Sequence, residues 1–314
     1  MMIKKKSKIF LAGHNGMVGS SILRKLKYYK YKQVFTINKK RLNLLDQRQV
    51  YSYLKKIKPK IVIIAAARAG GIYANSKNKA RFIYENIQIQ NNLINGSYLA
   101  GIKNLIFLGS SCIYPKEISK PIKEENLMEG KLENTNDSYA IAKIAGLIMC
   151  RDYSNNYNLN YKSLMPTNLY GPGDNYDQLN SHFFPALIKK IYNAKIKKKR
   201  KISLWGSGKP KRELMFVDDL ADAVIFFMKK KYKESYLNIG TGKDYTIKWY
   251  VDFVSKQLNY KTVIKFDRSM PDGTKRKVLN VGIAKKYGWR PKVSLNEGFK
   301  LTFKDFIRKK SYKS

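Results

Sequence analysis

The sequence predicts an α/β protein built on a doubly wound parallel sheet, with a smaller C-terminal α/β lobe beside it. Three observations lead to this prediction. Short apolar runs alternate with longer amphipathic segments through the first half of the chain. A glycine-rich turn directly follows the first apolar run, and glycine and proline cluster between the later segments. This alternation is typical of βαβ units, whose parallel strands share one sheet.

The elements predicted for the first half follow one another as strand and helix. Residues 61–67 contain almost no polar side chain, as expected for a strand covered on both faces. Asp46 stands where an N-cap would begin the second helix. The predicted strands are residues 8–12, 34–37, 61–67, 105–108 and 161–165, and the predicted helices are 17–29, 46–57, 86–100 and 139–157.

The second half is less regular, and its turns are marked by glycine and proline at 171–173, 206–210 and 271–273. Helices are predicted near residues 184–194, 218–229, 246–258 and 295–307. We therefore expect a nucleotide-binding domain over residues 1–165 and a substrate-binding lobe over 166–314, with the chain crossing between them.

Composition excludes several classes of protein. The 314 residues are 44% hydrophobic and 13% aromatic, which a disordered basic tail would lack. No apolar run is long enough to span a bilayer, so no membrane association is expected. No signal peptide is recognisable, and the 2 cysteines make no secreted disulfide pattern, so we expect a cytoplasmic protein.

The formal net charge of +41 has two interpretations: the protein binds an anionic partner, or the charge has no binding role. Nucleic acid, an acidic membrane and a phosphorylated small molecule all fit such a charge. The chain is rich in Lys, Ile, Asn and Tyr together, which is typical of a genome-wide bias toward A and T. Most of the excess is interpreted as this bias on a solvated surface.

The first chemical motif is Gly13-His14-Asn15-Gly16-Met17-Val18-Gly19, between the first predicted strand and helix. Glycine there permits a tight turn and close approach of the backbone to a pyrophosphate, and the helix N-terminus supplies N–H donors. The motif therefore predicts a Rossmann dinucleotide site, although a glycine-rich turn without ligand has the same letters. His14 is interpreted as structural or as facing the cofactor.

The residues that follow the second strand indicate whether the cofactor is NAD or NADP. An NAD site would place a carboxylate there for the ribose 2′-hydroxyl. This chain instead has Asn38-Lys39-Lys40-Arg41, whose cations would attract a 2′-phosphate. We expect NADP, with Lys-rich composition as the alternative origin of these cations.

The catalytic motif is Tyr139-Ala140-Ile141-Ala142-Lys143. A spacing of four places Tyr139 and Lys143 on one helix face, where an ammonium is expected to lower the pKa of the phenol. Ser110 follows the strand at 105–108, at the carboxyl edge where ligands bind. The glycine loop, Ser110 and this pair together resemble the extended short-chain dehydrogenases/reductases.

Cys112 suggests which branch of that superfamily is present. Dehydratases of this fold carry a carboxylate just after the catalytic Ser or Thr, whereas this chain has Ser111 and Cys112. Alone, Cys112 would be interpreted as a small buried hydrophobe. However, stretches along nearly the whole chain resemble the GDP-L-fucose synthase family: residues 13–20, 42–46, 70–72, 108–116, 139–146, 165–172, 181–182, 205–208 and 271–274.

That resemblance implies a bifunctional enzyme. Its substrate would be GDP-4-keto-6-deoxy-D-mannose, inverted at carbons three and five and then reduced at carbon four by NADPH. The ketone acidifies the neighbouring C–H bonds, so the inversions need a base and an acid with suitable pKa values. By resemblance, Cys112 is the base and His182 the acid, while Ser110, Tyr139 and Lys143 serve the reduction.

The resemblance also implies ligand contacts. The cofactor-lining positions outside the glycine loop are Leu108, Gly109, Ser110, Ser111, Lys143, Pro166, Thr167, Asn168, Leu169 and His182. The positions for the GDP-sugar are Lys190, Trp205, Arg212 and Asp272. Asn15 departs from the family, which has an Arg that helps to hold the 2′-phosphate. No metal is expected, and a homodimer is.

Two alternatives remain open from the sequence. One is a related enzyme acting on another GDP-4-keto-deoxy sugar, such as a colitose or 6-deoxyheptose precursor. The other is a non-catalytic protein of this fold that binds nucleic acid through its basic surface. The intact Ser110, Tyr139 and Lys143 with Cys112 and His182 argue against the second, so no nucleic-acid partner is expected.

Overall fold

The computed structural model describes residues 3–177, 180–269 and 272–311. Its first half contains β1 (Lys8–Ala12), α1 (Met17–Tyr28), β2 (Gln33–Phe35), α2 (Gln47–Ile57), β3 (Ile61–Ile64), α3 (Ile72–Lys77), α4 (Lys79–Leu99), β4 (Asn104–Leu108), α5 (Asp137–Tyr157) and β5 (Asn160–Pro166). Short 3₁₀ helices cover Ser111–Ile113 and Glu124–Asn126.

The second half adds β6 (Asn168–Tyr170), α6 (Phe183–Ile196), β7 (Lys201–Trp205), β8 (Lys211–Phe216), α7 (Val217–Phe227), β9 (Tyr236–Ile239), β10 (Asp244–Thr246), α8 (Ile247–Gln257), β11 (Val263–Asp267), β12 (Arg276–Lys277), α9 (Gly282–Lys286) and α10 (Leu295–Ser311). Within the part of the chain that is described, no helix is both long and apolar enough to cross a bilayer.

The main sheet is parallel and has the order β2-β1-β3-β4-β5-β9. Alternation along β1 explains why both faces are covered. Ile9 and Leu11 belong to the cluster that α1 and α7 cover, and Phe10 and Ala12 belong to the cluster that α2 and α4 cover. The predicted doubly wound parallel sheet is therefore confirmed. The strand order reverses between β1 and β3, where such sheets bind ligands.

The smaller lobe is built on short strands. β8 pairs with β10, β12 and β6, and β7 pairs with β11 in a separate ribbon. A separate apolar cluster, including Phe184, Ile188 and Tyr250, lies under α6, α8 and α10. This lobe has the α/β composition expected from the sequence.

The chain passes between the lobes more than once. Pro166 ends β5 in the main sheet, and Asn168 begins β6 beside β8 in the smaller one. β9 then returns to pair with β5, and α7 packs against α1. A division into residues 1–165 and 166–314 stays a prediction, and any such division has to assign β9 and α7 to the first body.

Most predicted elements agree with the structure within a few residues, and the exceptions have local causes. β3 ends at Ile64, before the predicted residue 67, although the Ala65 N–H still donates to the Ala12 carbonyl. α4 begins at Lys79, two turns before the predicted start. α3 was not predicted, because it is short and polar and directly follows two glycines.

Candidate active site

The glycine turn between β1 and α1 is closely packed. Gly13 has a φ of 89°, a conformation that favours glycine, and a Cβ there would lie 2.5 Å from the Ala66 backbone nitrogen. A Cβ on Gly19 would collide with the Gly13 carbonyl oxygen. These two glycines let the first turn of α1 approach the carboxyl end of β1 closely.

A groove of about 320 Å³ opens beside this turn, at the point where the strand order reverses. The groove is lined by the glycine loop, from Gly13 to Gly16, and by Ala65, Ala66, Ala67 and Arg68 after β3. Lys39, Leu42 and Glu85 also line it. The groove thus lies at the position where doubly wound sheets hold a dinucleotide.

The residues expected to select the 2′-phosphate are only partly in this groove. Lys39 lines it, while Lys40 and Arg41 are exposed and are not among the lining residues. The Asn15 amide donates to the Asn38 side-chain oxygen at 3.0 Å. Asn15 therefore joins the glycine loop to the segment after β2.

Arg68 and Glu85 in the groove were missed by sequence reasoning. Their side chains form an ion pair at 3.1 Å. Burial acts to raise the pKa of Glu85, but the pKa is lowered overall by hydrogen bonding from Arg81 and by the charges of Arg68, Arg81 and Lys39. The glycine cradle and these cations fit an anionic dinucleotide such as NADP.

The Ser110 hydroxyl lies just beyond β4. It caps the 3₁₀ helix at Ser111–Ile113 by accepting from the Cys112 N–H at 3.2 Å, and it is close enough to Tyr139 to act on the pKa of that phenol, in the lowering direction. The Gly109 N–H donates to the Leu164 carbonyl, which fixes the loop against β5. The predicted Ser110 and Tyr139 are therefore brought together.

Lys143 lies one turn after Tyr139 on α5, as the spacing predicted. Its Nζ donates to the Leu108 carbonyl at 2.8 Å and lies 5.8 Å from the centre of the Tyr139 ring. Burial lowers the pKa of Lys143 to about 7. Lys143 is thus placed between β4 and Tyr139.

The expected direction of the Tyr139 pKa is wrong for this structure. Burial raises it, the nearby Cys112 raises it further, and only the hydrogen bond with Ser110 acts in the opposite direction. The ammonium of Lys143 is directed at a backbone carbonyl and is itself disfavoured by burial, so it does not offset the desolvation of the phenol.

Cys112 is half-buried, and its sulfur accepts two hydrogen bonds at 3.4 Å. One donor is the Asn136 amide just before α5, and the other is the ammonium of Lys277 on β12. Neither donor was singled out from the sequence, because each is remote from Cys112 along the chain. An ammonium and an amide at one sulfur stabilise negative charge there.

His182 stands immediately before α6 in an extended conformation. The preceding residues dock on the loop after β3: the Gly71 N–H donates to the Asn180 carbonyl, and a Cβ on Gly71 would collide with the Ser181 carbonyl. The His182 side chain keeps an accessible surface, while the surrounding protein lowers its pKa by desolvation.

The predicted cofactor segment at Pro166–Leu169 is the crossing between the lobes. The Thr167 N–H donates to the Ile239 carbonyl at 3.0 Å, and the Asn168 amide donates to the Glu213 carbonyl at 3.1 Å. The Thr167 hydroxyl is buried and has no hydrogen-bond partner among the described residues. The segment is therefore held by both sheets.

Three of the four predicted substrate residues are close together. Asp272 accepts hydrogen bonds from the Ser207 N–H and hydroxyl, beside an exposed Trp205, and its charge acts on Arg212. Burial lowers the pKa of Arg212. Pro271, part of the resembling stretch, lies outside the described residues. Lys190 is on α6, where burial lowers its pKa, and no hydrogen bond among the described residues joins it to those three.

Comparison with known proteins identifies the family. Residues 9–240 match the model of the NAD dependent epimerase/dehydratase family. The chain belongs to this family. A GDP-L-fucose synthase from Sinorhizobium fredii is 45% identical over 96% of the chain and 95% of its own length. The resemblance to GDP-L-fucose synthases predicted from the sequence is confirmed.

Two other proteins are similar over nearly their whole length. A GDP-L-colitose synthase from Yersinia pseudotuberculosis is 39% identical, covering 97% of the chain and 99% of that protein. The structure of a GDP-mannoheptose C4 reductase from Campylobacter jejuni with NADP bound has a TM-score of 0.88 and 33% identity, covering 97% of the chain and 99% of that one. These similarities extend across both lobes.

Proposed function

We propose that the chain is a bifunctional GDP-L-fucose synthase, which inverts carbons three and five of GDP-4-keto-6-deoxy-D-mannose and reduces its ketone. The observation that carries this proposal is the setting of Cys112. A plain reductase of this fold needs Ser110, Tyr139 and Lys143, and it has no need of a sulfur held by an ammonium and an amide beside them. The relatives support an NADP-dependent enzyme of GDP-sugars.

In the proposed epimerisation, the Cys112 thiolate removes a proton from the carbon next to the ketone. The electron pair of the broken C–H bond forms an enolate. The negative charge of this enolate rests on the ketone oxygen, close to the Tyr139 hydroxyl and to Ser110. His182 then donates a proton to the carbon from the opposite face, which inverts it. Desolvation lowers the pKa of His182 and disfavours the imidazolium, so the acid role requires that His182 be protonated when the anionic substrate is bound.

In the proposed reduction, NADPH supplies the hydride when it is bound. Tyr139 donates its proton to the oxygen at carbon four, and its raised pKa keeps the phenol protonated until that moment. Ser110 orients the phenol and the ketone oxygen by hydrogen bonding. Gly13, Gly16 and Gly19 leave room for the pyrophosphate of NADPH. Lys39 and Arg68 would bind the phosphate groups of the cofactor.

The GDP end of the substrate is proposed to bind the smaller lobe. Lys190 and Arg212 would meet diphosphate oxygens. Trp205, whose side chain is 55% exposed, offers a flat apolar surface, and Asp272 a hydrogen-bond acceptor. The cations lowered in pKa by burial regain a favourable environment when an anion arrives.

A single assay tests the function. The purified protein in heavy water, given NADPH and GDP-4-keto-6-deoxy-D-mannose, is expected to oxidise NADPH and to place deuterium at carbons three and five of the product. Mass spectrometry and NMR of the sugar would show both labels. Reduction without deuterium at either carbon would remove the epimerase half of the proposal.

A second substrate is favoured by the colitose and heptose relatives. A related enzyme would keep the catalytic residues and differ in the sugar pocket. Competition between GDP-4-keto-6-deoxy-D-mannose and a 3,6-dideoxy or heptose counterpart, scored by kcat/KM for each, distinguishes these substrates.

We also propose a cytoplasmic homodimer. α4 and α5 pack side by side and leave apolar side chains exposed, with Tyr84 at 63%, Ile87 at 38% and Ile141 at 46%. A second copy would cover such a patch. Sedimentation of the wild type and of Ile141→Lys should give a dimer and a monomer, respectively. The free thiols of Cys112 and Cys150 favour a reducing compartment.

A further inference from the structure

Lys277 is directed at the active site by the alternation of its strand. Arg276, the other residue of β12, forms a bidentate ion pair with Asp244 at 2.7 and 3.2 Å. Successive side chains of a strand point to opposite faces, so Lys277 is turned away from that pair. Its Nζ lies 3.4 Å from the Cys112 sulfur, across 165 residues of sequence.

A buried carboxylate holds β12 in this place. Lys277 is the register partner of Arg212 on β8, and the next residue on β8 is Glu213, whose side chain is fully buried. Glu213 accepts hydrogen bonds from the Leu279 N–H at 2.8 Å and from the Gly242 N–H at 2.8 Å. On the other side of Lys277, the Lys275 carbonyl accepts a hydrogen bond from the Lys211 N–H at 2.9 Å, so the backbone before and after Lys277 is anchored to β8.

The charges around the sulfur are unequal. Arg212 and Tyr139 both interact electrostatically with Cys112. However, the positive charge of Arg212 also interacts with the carboxylates of Glu133 and Asp272. Lys277 takes part in no ion pair among the described residues. Lys277 is therefore the cation whose charge is available to the sulfur. Asn136 adds a neutral donor at 3.4 Å.

We propose that Lys277 is a positioning residue for epimerisation, which holds Cys112 as a thiolate oriented toward the sugar. This inference rests on the proposed role of Cys112 as the base. When Cys112 removes the proton, an S–H bond forms, the C–H bond breaks, and the negative charge moves from sulfur to the ketone oxygen. Lys277 keeps its proton throughout and stabilises only the starting thiolate.

Thiol alkylation tests the inference without any substrate. Cys150 is fully buried, and burial raises its pKa to about 12, so iodoacetamide should modify Cys112 first. In the full-length protein, Lys277→Gln should move the pH midpoint of alkylation up by about one unit and slow the reaction at pH 7 about tenfold. Lys277→Arg should restore most of the rate.

The control is Lys275→Gln, which removes the same charge from an exposed neighbour two residues away and should leave the profile unchanged. NADPH binding by fluorescence verifies that each variant is folded. An unchanged alkylation profile in Lys277→Gln would overturn the inference, as would an equal shift in Lys275→Gln.

Deuterium exchange links the thiol to the reaction. With GDP-4-keto-6-deoxy-D-mannose, the acidic limb of the exchange profile of Lys277→Gln should move by the same amount as its alkylation profile. An alkylation shift with no turnover in the wild type would contradict the proposed function and leave the thiolate contact established. Turnover with an unshifted exchange profile would contradict the role of Lys277 alone.

Discussion

The ammonium of Lys143 lies 5.8 Å from the centre of the Tyr139 ring and donates its hydrogen bond to the Leu108 carbonyl at 2.8 Å. Lys143 is buried, with 3% of its surface exposed, and its pKa falls to about 7, while burial raises that of Tyr139. Before ligands bind, the phenol is therefore protonated and suited to give up its proton as an acid. That arrangement fits reduction, in which the ketone oxygen must receive a proton.

Tyr139→Phe should separate the two halves of the reaction. The variant keeps the ring but has no proton for the oxygen at carbon four, so reduction should slow by about 10² to 10⁴-fold. Exchange at carbons three and five should persist, because Cys112 and His182 are untouched. NADPH oxidation and deuterium content measure the two steps. Tyr157→Phe, at an exposed position on the same helix, is the matched control.

Cys112→Ser should have the opposite effect. A serine hydroxyl cannot serve as the base that a thiolate does, so deuterium incorporation should fall by about 10²-fold or more. Reduction of an already epimerised intermediate should be retained. Cys150→Ser, at a fully buried site, controls for loss of a thiol. Equal loss of exchange and reduction would instead indicate that Cys112 is structural.

Lys143→Met should reveal the cost of the buried ammonium. The folded pKa of about 7 lies below the usual 10.5, so between these values the unfolded chain binds more protons and stability rises with pH. The variant should therefore gain about 4–5 kcal/mol in free energy of unfolding relative to wild type at pH 6, less what the Leu108 carbonyl loses, and the gain should fall below about 1 kcal/mol at pH 10. Urea unfolding at both pH values measures it. The exposed Lys55→Met should show no such trend, and a pH-independent gap in Lys143→Met would refute the explanation.

Gly19→Ala should damage the cofactor groove. The added Cβ collides with the Gly13 carbonyl, so the turn or the helix must move, at a cost of about 1–3 kcal/mol. NADPH should bind about tenfold more weakly or worse by fluorescence titration. At Gly16 the nearest atom to a Cβ is 3.6 Å away, so Gly16→Ala should bind almost normally. Similar affinities in the two variants would show that close packing of α1 is not what shapes the groove.

The fold could be predicted wherever a short stretch of sequence is enough to determine the local secondary structure. β1 and β4 are apolar runs covered on both faces, and Asp46 caps α2 through the Gln49 N–H. The strands of the smaller lobe are short and partly exposed, and β12 is only Arg276 and Lys277, so neither pattern nor length marks them. Their existence depends on pairing with β8.

The candidate site likewise contains residues that local sequence patterns reveal and residues that only tertiary contacts reveal. Ser110, Tyr139 and Lys143 fall within about 35 residues, on a strand end and a helix face that local patterns reveal. Lys277, Asn136 and Glu85 matter through contacts that only tertiary structure creates. The pKa of Tyr139 was misjudged for a related reason, since spacing gives the distance to Lys143 and says nothing of burial.

The buried carboxyl group of Asp174 should make stability depend on pH in the opposite direction to Lys143. It is buried in the loop that leads toward His182; one of its carboxylate oxygens has no partner among the described residues, and burial with Asp305 nearby raises its pKa to about 7. Between its usual 3.8 and about 7 the folded state holds the extra proton, so stability falls as pH rises. Asp174→Asn removes that loss, and its free energy of unfolding should exceed that of wild type by about 4 kcal/mol at pH 8 and by less than about 1 kcal/mol at pH 4. Urea unfolding at the two pH values decides. Asp252→Asn, in an exposed pair with Lys248, should change little at either, and a stabilisation of Asp174→Asn that is equal at pH 4 and pH 8 would mean that the carboxylate is not the source.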